Sequence, residues 1–356
     1  MAITPLFMTG GGFFRGGIYG TEFDNTPATQ PRADGGIIHT GAYSLRPSYG
    51  GCRGVKNVPA TRQFRAGLWM YSNGAALVKS VLLEWKTALG AAHISWVGAG
   101  SADQTKLAAY VGNHAAAAAE TSADAFAQDQ WYNIGIDVKV DNANGWIYVW
   151  QDGVNIIHFD GNTGNADIEQ IILAECGTGA AWNFLRVADY YFDDTTGEAA
   201  PSIPPDRRIY CFYPKNAART YAEGLAKGGG ASSYTQVDEG AVSDLDTTYN
   251  YVDALDERET YAINTAALPA LPASGTIYAV QVKAHALKTD AGVDTQIAIM
   301  TRGGAAPADN EDAAQALAGD WLLYSGDIET LDPAGQPWTL AQIQSLEIGV
   351  RGKGTF

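Results

Sequence analysis

Three aspartates stand close together near the middle of the chain, at Asp189, Asp193 and Asp194. They accompany an aromatic run typical of a strand, so their carboxylates would meet where that strand ends. Calcium binds where several carboxylate and carbonyl oxygens converge on a loop. The three residues are candidate Ca²⁺ ligands, and no other cofactor is predicted. The alternative, which we favour, is that they form solvated turns in a chain whose pI is about 4.6.

A second acidic group lies further along the chain and allows the same two interpretations. Its members are Asp238, Glu239, Asp244 and Asp246.

Aromatic residues alternate with aliphatic ones in the segment Trp146, Ile147, Tyr148, Val149 and Trp150. In a strand, this alternation places the three aromatic rings on one face and the aliphatic side chains on the other. Aromatic rings on an outer sheet face can stack against sugar rings, or they can pack against a neighbouring subunit or domain. Of these two, the packing contact is favoured, because aromatic residues are enriched in protein interfaces.

Patterns of catalytic residues were sought and are missing from the sequence. Retaining glycosidases need two carboxyl groups about 5 to 5.5 Å apart, but the acidic run Asp256-Glu257-Arg258-Glu259 lacks the Glu-x-Asp-x-x-Glu spacing of laminarinase-like enzymes. The Gly-x-Ser-x-Gly motif of serine hydrolases does not occur. The histidines share no spacing typical of metal ligands. The sequence therefore predicts no catalytic residues.

The elements that position these residues are β-strands. Apolar residues occupy every second position from Ile134 to Val140, the pattern of a half-buried strand. An Asn- and Gly-rich turn precedes the aromatic segment, and Asp152-Gly153 predicts a second tight turn before a strand that ends near Phe159. A three-stranded antiparallel meander is predicted.

Comparable short runs, separated by Gly, Asn or Ser, predict strands in both halves of the chain. In the first half they are Phe64 to Met70, Ser80 to Trp85, Ala92 to Val97, Leu107 to Val111, Ile168 to Ala174 and Ala181 to Phe192. In the second half they are Arg208 to Tyr213, Tyr249 to Val252, Glu259 to Ile263, Ile277 to Leu287, Gln296 to Met300, Trp321 to Tyr324 and Leu346 to Arg351. An alanine-rich stretch from Asn113 to Gln128 has helical propensity, but strand and loop are preferred there. Thr339 and Gln342 have capping-box spacing, which predicts one helical turn.

Length and composition favour two all-β domains. The chain has 356 residues, a length that exceeds what one hydrophobic core usually organises. Hydrophobic residues make up 46% of it and charged residues 17%. A proline-rich joint at Pro201 to Pro205 divides it into two predicted β-sandwich (jelly-roll) domains, residues 1–200 and 201–356. A formal net charge of -16 argues against nucleic acid as a partner. No apolar run approaches the roughly 18 residues of a membrane span, so membrane insertion is not expected.

Several short motifs in the first half resemble the concanavalin-A-like or laminin-G-like jelly roll. They are TGAYSL (40–45), the strand that starts at Trp131, DNANG (141–145), QDG (151–153) and YYFDD (190–194).

The later motifs extend the resemblance over most of the chain. In order they are RRIYCFYP (207–214), GLAKGGGASSYTQVDE (224–239), DLDTTY (244–249) and DPAGQPWTLAQIQSLEIGV (332–350). This order is similar to that of a class of tailed-bacteriophage virion proteins in which a laminin-G-like domain precedes a second β-sandwich.

The resemblance implies a non-enzymatic structural protein of a phage particle, assembled in the host cytoplasm and located in the tail tip, fibre, baseplate or capsid surface. Its expected partners are other virion proteins and further copies of itself, as a homo-oligomer or symmetric array. Lectins share this fold, so the alternative is a glycan-binding module for host attachment.

Overall fold

The computed structural model describes most of the chain in two compact units, Met1–Cys211 and Phe212–Phe356. The described residues are 4–9, 32–34, 44–46, 54–72, 80–87, 90–97, 106–111, 118–122, 126–127, 129–176, 185–210, 212–215, 220–223, 225–226, 249–251, 254–265, 275–289, 294–304 and 307–354.

The first unit is built from antiparallel strands in two sheets. The strands are β1 (Thr4–Thr9), β2 (Arg32–Asp34), β3 (Ser44–Arg46), β4 (Gly54–Thr61), β5 (Gln63–Ser72), β6 (Ser80–Thr87), β7 (Gly90–Val97), β8 (Lys106–Val111), β9 (Glu120–Thr121), β10 (Gln130–Lys139), β11 (Gly145–Gln151), β12 (Val154–Gly161), β13 (Ile168–Cys176) and β14 (Leu185–Asp194). The front sheet has the order β12-β11-β10-β5-β14-β3-β2, with β1 also paired to β14. The back sheet has the order β4-β13-β6-β7-β8-β9.

The predicted meander is confirmed as β10, β11 and β12. Ile136 pairs with Val149 across the first hairpin, and Val149 pairs with Ile157 across the second. Asp152 and Gly153 adopt φ angles of 49° and 83°, the left-handed conformation that a tight hairpin turn requires.

The core of the first unit lies between its two sheets. Alternate residues of β5, Phe64, Ala66, Leu68 and Met70, are fully buried there. The Phe64 ring stacks on Phe192 of the front sheet at 4.6 Å. Its edge meets Trp85 of the back sheet at 5.5 Å. Aromatic contacts therefore join the two layers of a β-sandwich.

The described residues of the second unit are also β-rich and include one short helix. Its elements are β15 (Leu225–Ala226), β16 (Asn250–Tyr251), β17 (Arg258–Ala262), β18 (Lys283–Ala286), β19 (Thr295–Gly303), β20 (Ala308–Glu311), β21 (Gln315–Ala316), β22 (Leu322–Ser325), α1 (Leu340–Gln344) and β23 (Glu347–Gly354). One sheet has the order β17-β23-β19-β20, with β21 added to β19, and β18 pairs with β22. Val282, directly before β18, and Tyr324 of β22 pack with Ile297 and Ile299 of the larger sheet.

Two local predictions had different outcomes in this half of the chain. The capping box is confirmed, because the Gln342 N–H donates to Thr339 Oγ1 while the Thr339 N–H donates to the Gln342 side chain. The predicted strand from Arg208 to Tyr213 is wrong, since residues 208–210 and 212–213 form no strand. Arg208 and Ile209 instead contact the front sheet of the first unit, as described below.

The division between the units lies after Cys211, further along than the predicted boundary after residue 200. The intervening residues pack on the first unit. Of the predicted strand Ile277 to Leu287, only β18 forms. Of the alanine-rich stretch at 113–128, the described part contains β9, and the rest lies outside the described residues. No helix among the described residues is both long and apolar enough to cross a membrane.

Candidate functional site

The outer face of the front sheet carries a polar and aromatic surface. Along β5, Arg65, Gly67 and Trp69 alternate with the core residues and so point away from the core. Register places Asp137 of β10 beside Arg65 and also beside Tyr148 of β11. What covers this face therefore decides which parts of it remain accessible.

Residues 195–210, here called the covering segment, lie across this face. Pro204 packs directly over Gly135, where an added Cβ would lie 2.8 Å from the proline ring. The Tyr191 hydroxyl donates to the Pro205 carbonyl at 2.6 Å. Gly67 is needed because a Cβ there would collide with the Tyr191 ring. Gly135 thus makes room for Pro204 of the covering segment, and Gly67 makes room for the Tyr191 ring of β14.

A buried ion pair fastens the first half of the covering segment. Arg65 donates to Asp137 Oδ2 at 3.1 Å, and both side chains are almost fully buried. Arg65 also contacts Glu198 and donates to Ser202 Oγ at 2.5 Å.

The Asp137 carboxylate also accepts hydrogen bonds from Trp146 Nε1 at 2.7 Å and from the Ser202 N–H at 3.2 Å. Burial raises the pKa of the Asp137 carboxyl, and these hydrogen bonds oppose that shift.

Two arginines fasten the second half of the covering segment. Arg207 donates to Asp193 at 2.9 Å and lies 4.2 Å from the centre of the Tyr191 ring. Arg208 lies 4.1 Å from the Trp69 ring, a distance at which a cation and an aromatic ring attract. The Trp69 indole donates to Asp206 at 3.0 Å. Arg208, the first residue of the predicted strand, thus lies against this sheet face.

The predicted aromatic residues lie on the outer face of β11, but two of them are covered. Trp146 and Trp150 are each 6% exposed, while Tyr148 is half-buried. Trp150 pairs with Gly135 in register, beside the position of Pro204. Trp146 is used as a donor to Asp137. Broad stacking of a ligand on all three rings does not fit this geometry.

Tyr148 belongs to an exposed group that the sequence analysis missed. Its hydroxyl contacts His158 Nε2 and donates to Asp160 at 3.1 and 3.2 Å. His158 Nε2 lies 2.9 Å from Asp160 Oδ2, and the two side chains are 56% and 62% exposed. Register was the available signal, because His158 is the cross-strand partner of Tyr148 and Asp160 follows on the same face.

The pKa of Tyr148 determines whether its hydroxyl is protonated at neutral pH. Burial, the hydrogen bond to Asp160 and the charges of Asp160 and Glu120 raise the pKa of Tyr148 to about 12. A nucleophilic tyrosine needs the opposite shift, toward the phenolate. Tyr148 is therefore a stable hydrogen-bond donor at neutral pH.

The three candidate calcium ligands have separate partners. Asp189 accepts the Ile209 N–H at 3.3 Å, Asp193 binds Arg207, and Asp194 accepts from Thr61 at 2.9 Å. Among the described residues, no three His, Cys, Asp or Glu side chains form a metal-binding group. Calcium binding stays a prediction. The second acidic group, at residues 238–246, lies outside the described residues.

The second unit carries a charged surface on its larger sheet. The Tyr221 hydroxyl donates to Asp309 at 2.6 Å, and Arg258 lies 3.7 Å from the centre of the Tyr221 ring. Arg351 binds both Asp256 and Glu311 at 2.8 Å. Each arginine here has a carboxylate or a ring as its partner, which is typical of a structural network on a sheet surface.

Comparisons with known proteins found similarity to solved structures only. No protein-family model matches, and no curated protein matches. A sialidase is 10% identical, with a TM-score of 0.33, over 47% of this chain and 16% of that one. A galectin from Caenorhabditis elegans is 15% identical, with a TM-score of 0.28, over 39% of this chain and 88% of that one.

The Cellulose induced protein Cip1 is 12% identical, with a TM-score of 0.34, over 58% of this chain and 93% of its own. The chain spans about a sixth and about a quarter of the first two structures it matches, both sialidases. Identities and TM-scores this low leave the function to be argued from the residues of this chain.

Proposed function

We propose that this chain is a non-enzymatic structural protein of a tailed-bacteriophage particle, acting through contacts with other virion proteins and with further copies of itself. Its place would be the tail tip, fibre, baseplate or capsid surface. The ordered motifs of the sequence support the phage assignment.

The covering segment is the observation that carries the structural part of this proposal. The chain uses the outer face of its front sheet for internal packing, fastened by Arg65 with Asp137 and by Arg207 with Asp193. A lectin that bound its ligand across this face would need the same surface open. A sheet whose outer face is largely occupied by its own chain is suited to a rigid building block whose remaining surfaces contact neighbours.

A non-enzymatic role also agrees with the properties of the Tyr148, His158 and Asp160 group. Tyr148, His158 and Asp160 lie within hydrogen-bond distance of one another, but the raised pKa of Tyr148 opposes phenolate formation. The group can bind a ligand through hydrogen bonds.

Immunogold labelling of intact phage particles tests the proposal directly. Antibodies are raised against the recombinant full chain, and electron microscopy locates the gold. We expect label at a fixed position on nearly every particle, at the tail end or over the head. Particles opened by mild denaturation are labelled in parallel, so that a buried position is detected. The absence of label from both preparations would contradict a virion location.

A second experiment tests the interface role without any assumption about location. The purified full chain is examined by light scattering coupled to size-exclusion chromatography, alone and mixed with particles that lack it. Self-association or attachment to particles is expected. A protein that remains monomeric and does not attach would contradict this mechanism.

Glycan recognition is the second candidate, favoured by one observation. Tyr148, His158 and Asp160 remain exposed beside the covered part of the sheet. Aromatic rings combined with hydrogen-bonding side chains are the usual composition of small-ligand sites. Such a module would attach the particle to a host surface, so the two candidates are compatible.

A further inference from the structure

The group Tyr148, His158 and Asp160 is held on two paired strands. Tyr148 of β11 is the cross-strand partner of His158 of β12, and their ring centres are 4.1 Å apart. The Trp150 ring lies 5.9 Å from Tyr148 on the same strand face. Strand pairing fixes these positions before any ligand arrives, which reduces the entropy lost on binding.

Hydrogen-bonding capacity remains in this group after its internal contacts are counted. An ionised carboxylate has about four acceptor positions, while Asp160 receives the Tyr148 hydroxyl and contacts His158 Nε2. The Asp160 side chain is 62% exposed. Its remaining acceptor positions can therefore receive hydroxyl groups from outside.

The surrounding charges select against anions. Glu120 is near enough that its charge raises the pKa of Tyr148, and Asp160 adds a second carboxylate. Lys139 lies 5.0 Å from the centre of the Trp146 ring, and Trp146 is the cross-strand partner of Asp160. The whole chain carries a formal net charge of -16. The carboxylate of an acidic sugar that approached Asp160 would meet a like charge, and like charges at close range repel.

We propose that Tyr148, His158 and Asp160 form a binding site for neutral saccharides, in which Asp160 accepts hydrogen bonds from sugar hydroxyls. The inference rests on the glycan-binding candidate and adds its residues and its ligand class. It is independent of where the protein sits in a particle. Sugar hydroxyl pairs suit a carboxylate, because two donors can bind its two oxygens at once.

A saccharide array probed with the fluorescently labelled full chain tests the ligand class. The array pairs neutral glycans with acidic counterparts, for example lactose with 3′-sialyllactose. Affinities for the strongest neutral ligand are then measured by titration calorimetry. We expect binding to neutral members and weaker or no binding to their acidic counterparts.

Two variants identify the site, and two matched variants serve as controls. Asp160→Asn and Tyr148→Phe each remove one hydrogen-bonding function at little cost in volume, and we expect each to weaken binding by roughly tenfold or more. Tyr71 and Asp129 form the same type of contact, at 3.0 Å, elsewhere in this unit. Tyr71→Phe and Asp129→Asn should therefore leave the affinity unchanged. Melting temperatures of all four variants verify folding.

The outcomes separate this inference from the glycan-binding candidate itself. Neutral binding that survives Asp160→Asn and Tyr148→Phe would place the sugar elsewhere and overturn this site alone. Preferential binding of acidic glycans would overturn the ligand class. If no array member binds, both the site and the glycan-binding candidate fail, while the structural proposal is untouched.

Discussion

At the scale of single residues, the ion pair between Arg65 and Asp137 is the most constrained feature of the first unit. Both side chains are buried, so each charge has lost its hydration and depends on the other. Such pairs add little net stability, but removing one partner leaves an uncompensated charge. The main effect of the pair is to fix the position of the covering segment, because Arg65 binds Glu198 and Asp137 accepts the Ser202 N–H.

We predict that Arg65→Met lowers the free energy of unfolding by about 3 to 5 kcal/mol, because Asp137 then remains buried without a cation. Urea unfolding of the full chain, followed by tryptophan fluorescence, measures the change. Asp137→Asn is the second single variant. The double variant should lose less than the sum of the two single losses, since the unpaired charge is gone. Strict additivity would argue that the two residues do not act as a pair.

Glu329 in the second unit allows a prediction of pH dependence. Burial raises the pKa of Glu329 above its ordinary value of 4.5, and the nearby charges of Asp312 and Asp327 add to the shift. The folded state therefore binds a proton more readily than the unfolded chain does. The stabilising contribution of this group is full below pH 4.5 and is lost as the pH rises through the raised pKa.

Glu329→Gln should thus raise the melting temperature at neutral pH and have a much smaller effect near pH 4.5. The amide retains an oxygen that can accept from the Thr301 hydroxyl, which donates to Glu329 at 2.8 Å. Differential scanning calorimetry of the full chain at several pH values measures both effects. An equal temperature shift at every pH would show that charge burial is not the cause.

For the three aromatic residues of β11, the sequence predicted which strand face the side chains occupy but not how far those side chains are buried. Alternation placed Trp146, Tyr148 and Trp150 on one strand face, because side-chain direction is a local property of a strand. Their burial depends on residues such as Pro204, which are distant in sequence. His158 and Asp160 were missed because only the register of the β11–β12 hairpin joins them to Tyr148, and a bulge between Val149 and Trp150 shifts that register by one residue.

At the scale of elements, the contact between Pro204 and Gly135 sets how closely the covering segment approaches β10. We predict that Gly135→Ala costs roughly 1 to 3 kcal/mol of stability, a typical penalty for an added methyl group without space. The Cβ would lie 2.8 Å from Pro204 Cδ, so the segment must shift. Gly319→Ala is the matched control, since nothing lies within 4 Å of the Cβ added there.

Urea unfolding of Gly135→Ala and Gly319→Ala measures the loss of stability. Limited proteolysis of the same two variants shows where in the chain the loss occurs. Cleavage within residues 195–210 should become faster in Gly135→Ala and stay unchanged in Gly319→Ala. Loss of stability without faster cleavage there would indicate that the strain is relieved in the strands instead.

Most strands could be predicted because their alternation and turn signals are local. The meander shows this most clearly, since its turns contain Asp152-Gly153 and the Asn-rich 141–145 segment. The strand predicted at Arg208 to Tyr213 failed for the opposite reason. Residues 208–210 form no strand. Arg208 lies against the Trp69 ring and the Ile209 N–H donates to Asp189, and no local pattern reveals these partners.

At the scale of the whole molecule, the division into two all-β units was predictable from length and from the prolines at 201–205. The position of the division was not, because the proline-rich stretch resembles a free linker. In the structure, this stretch is part of the first unit, and Pro204 itself is buried.

We predict that a chain ending at Cys211 folds cooperatively, whereas a chain ending at Ala200 is destabilised or aggregates. The shorter chain lacks Ser202, Pro204 and Arg207, which cover Asp137, Gly135 and Asp193. Thermal unfolding and size-exclusion chromatography of the two chains compare them. Equal melting temperatures would mean that the covering segment contributes nothing to the first unit.

The covering segment also determines when the first unit can be completed during synthesis on the ribosome. Strands β5 and β10 emerge early and can pair. Arg65 and Asp137 remain partly hydrated until Glu198 and Ser202 have been synthesised and can bind them. Folding of the N-terminal unit therefore finishes only when translation has passed the start of the second unit. Until then, the nascent chain exposes the outer face of its front sheet, a surface to which a chaperone can bind. The last step of folding of the first unit therefore takes place while the second unit is being synthesised.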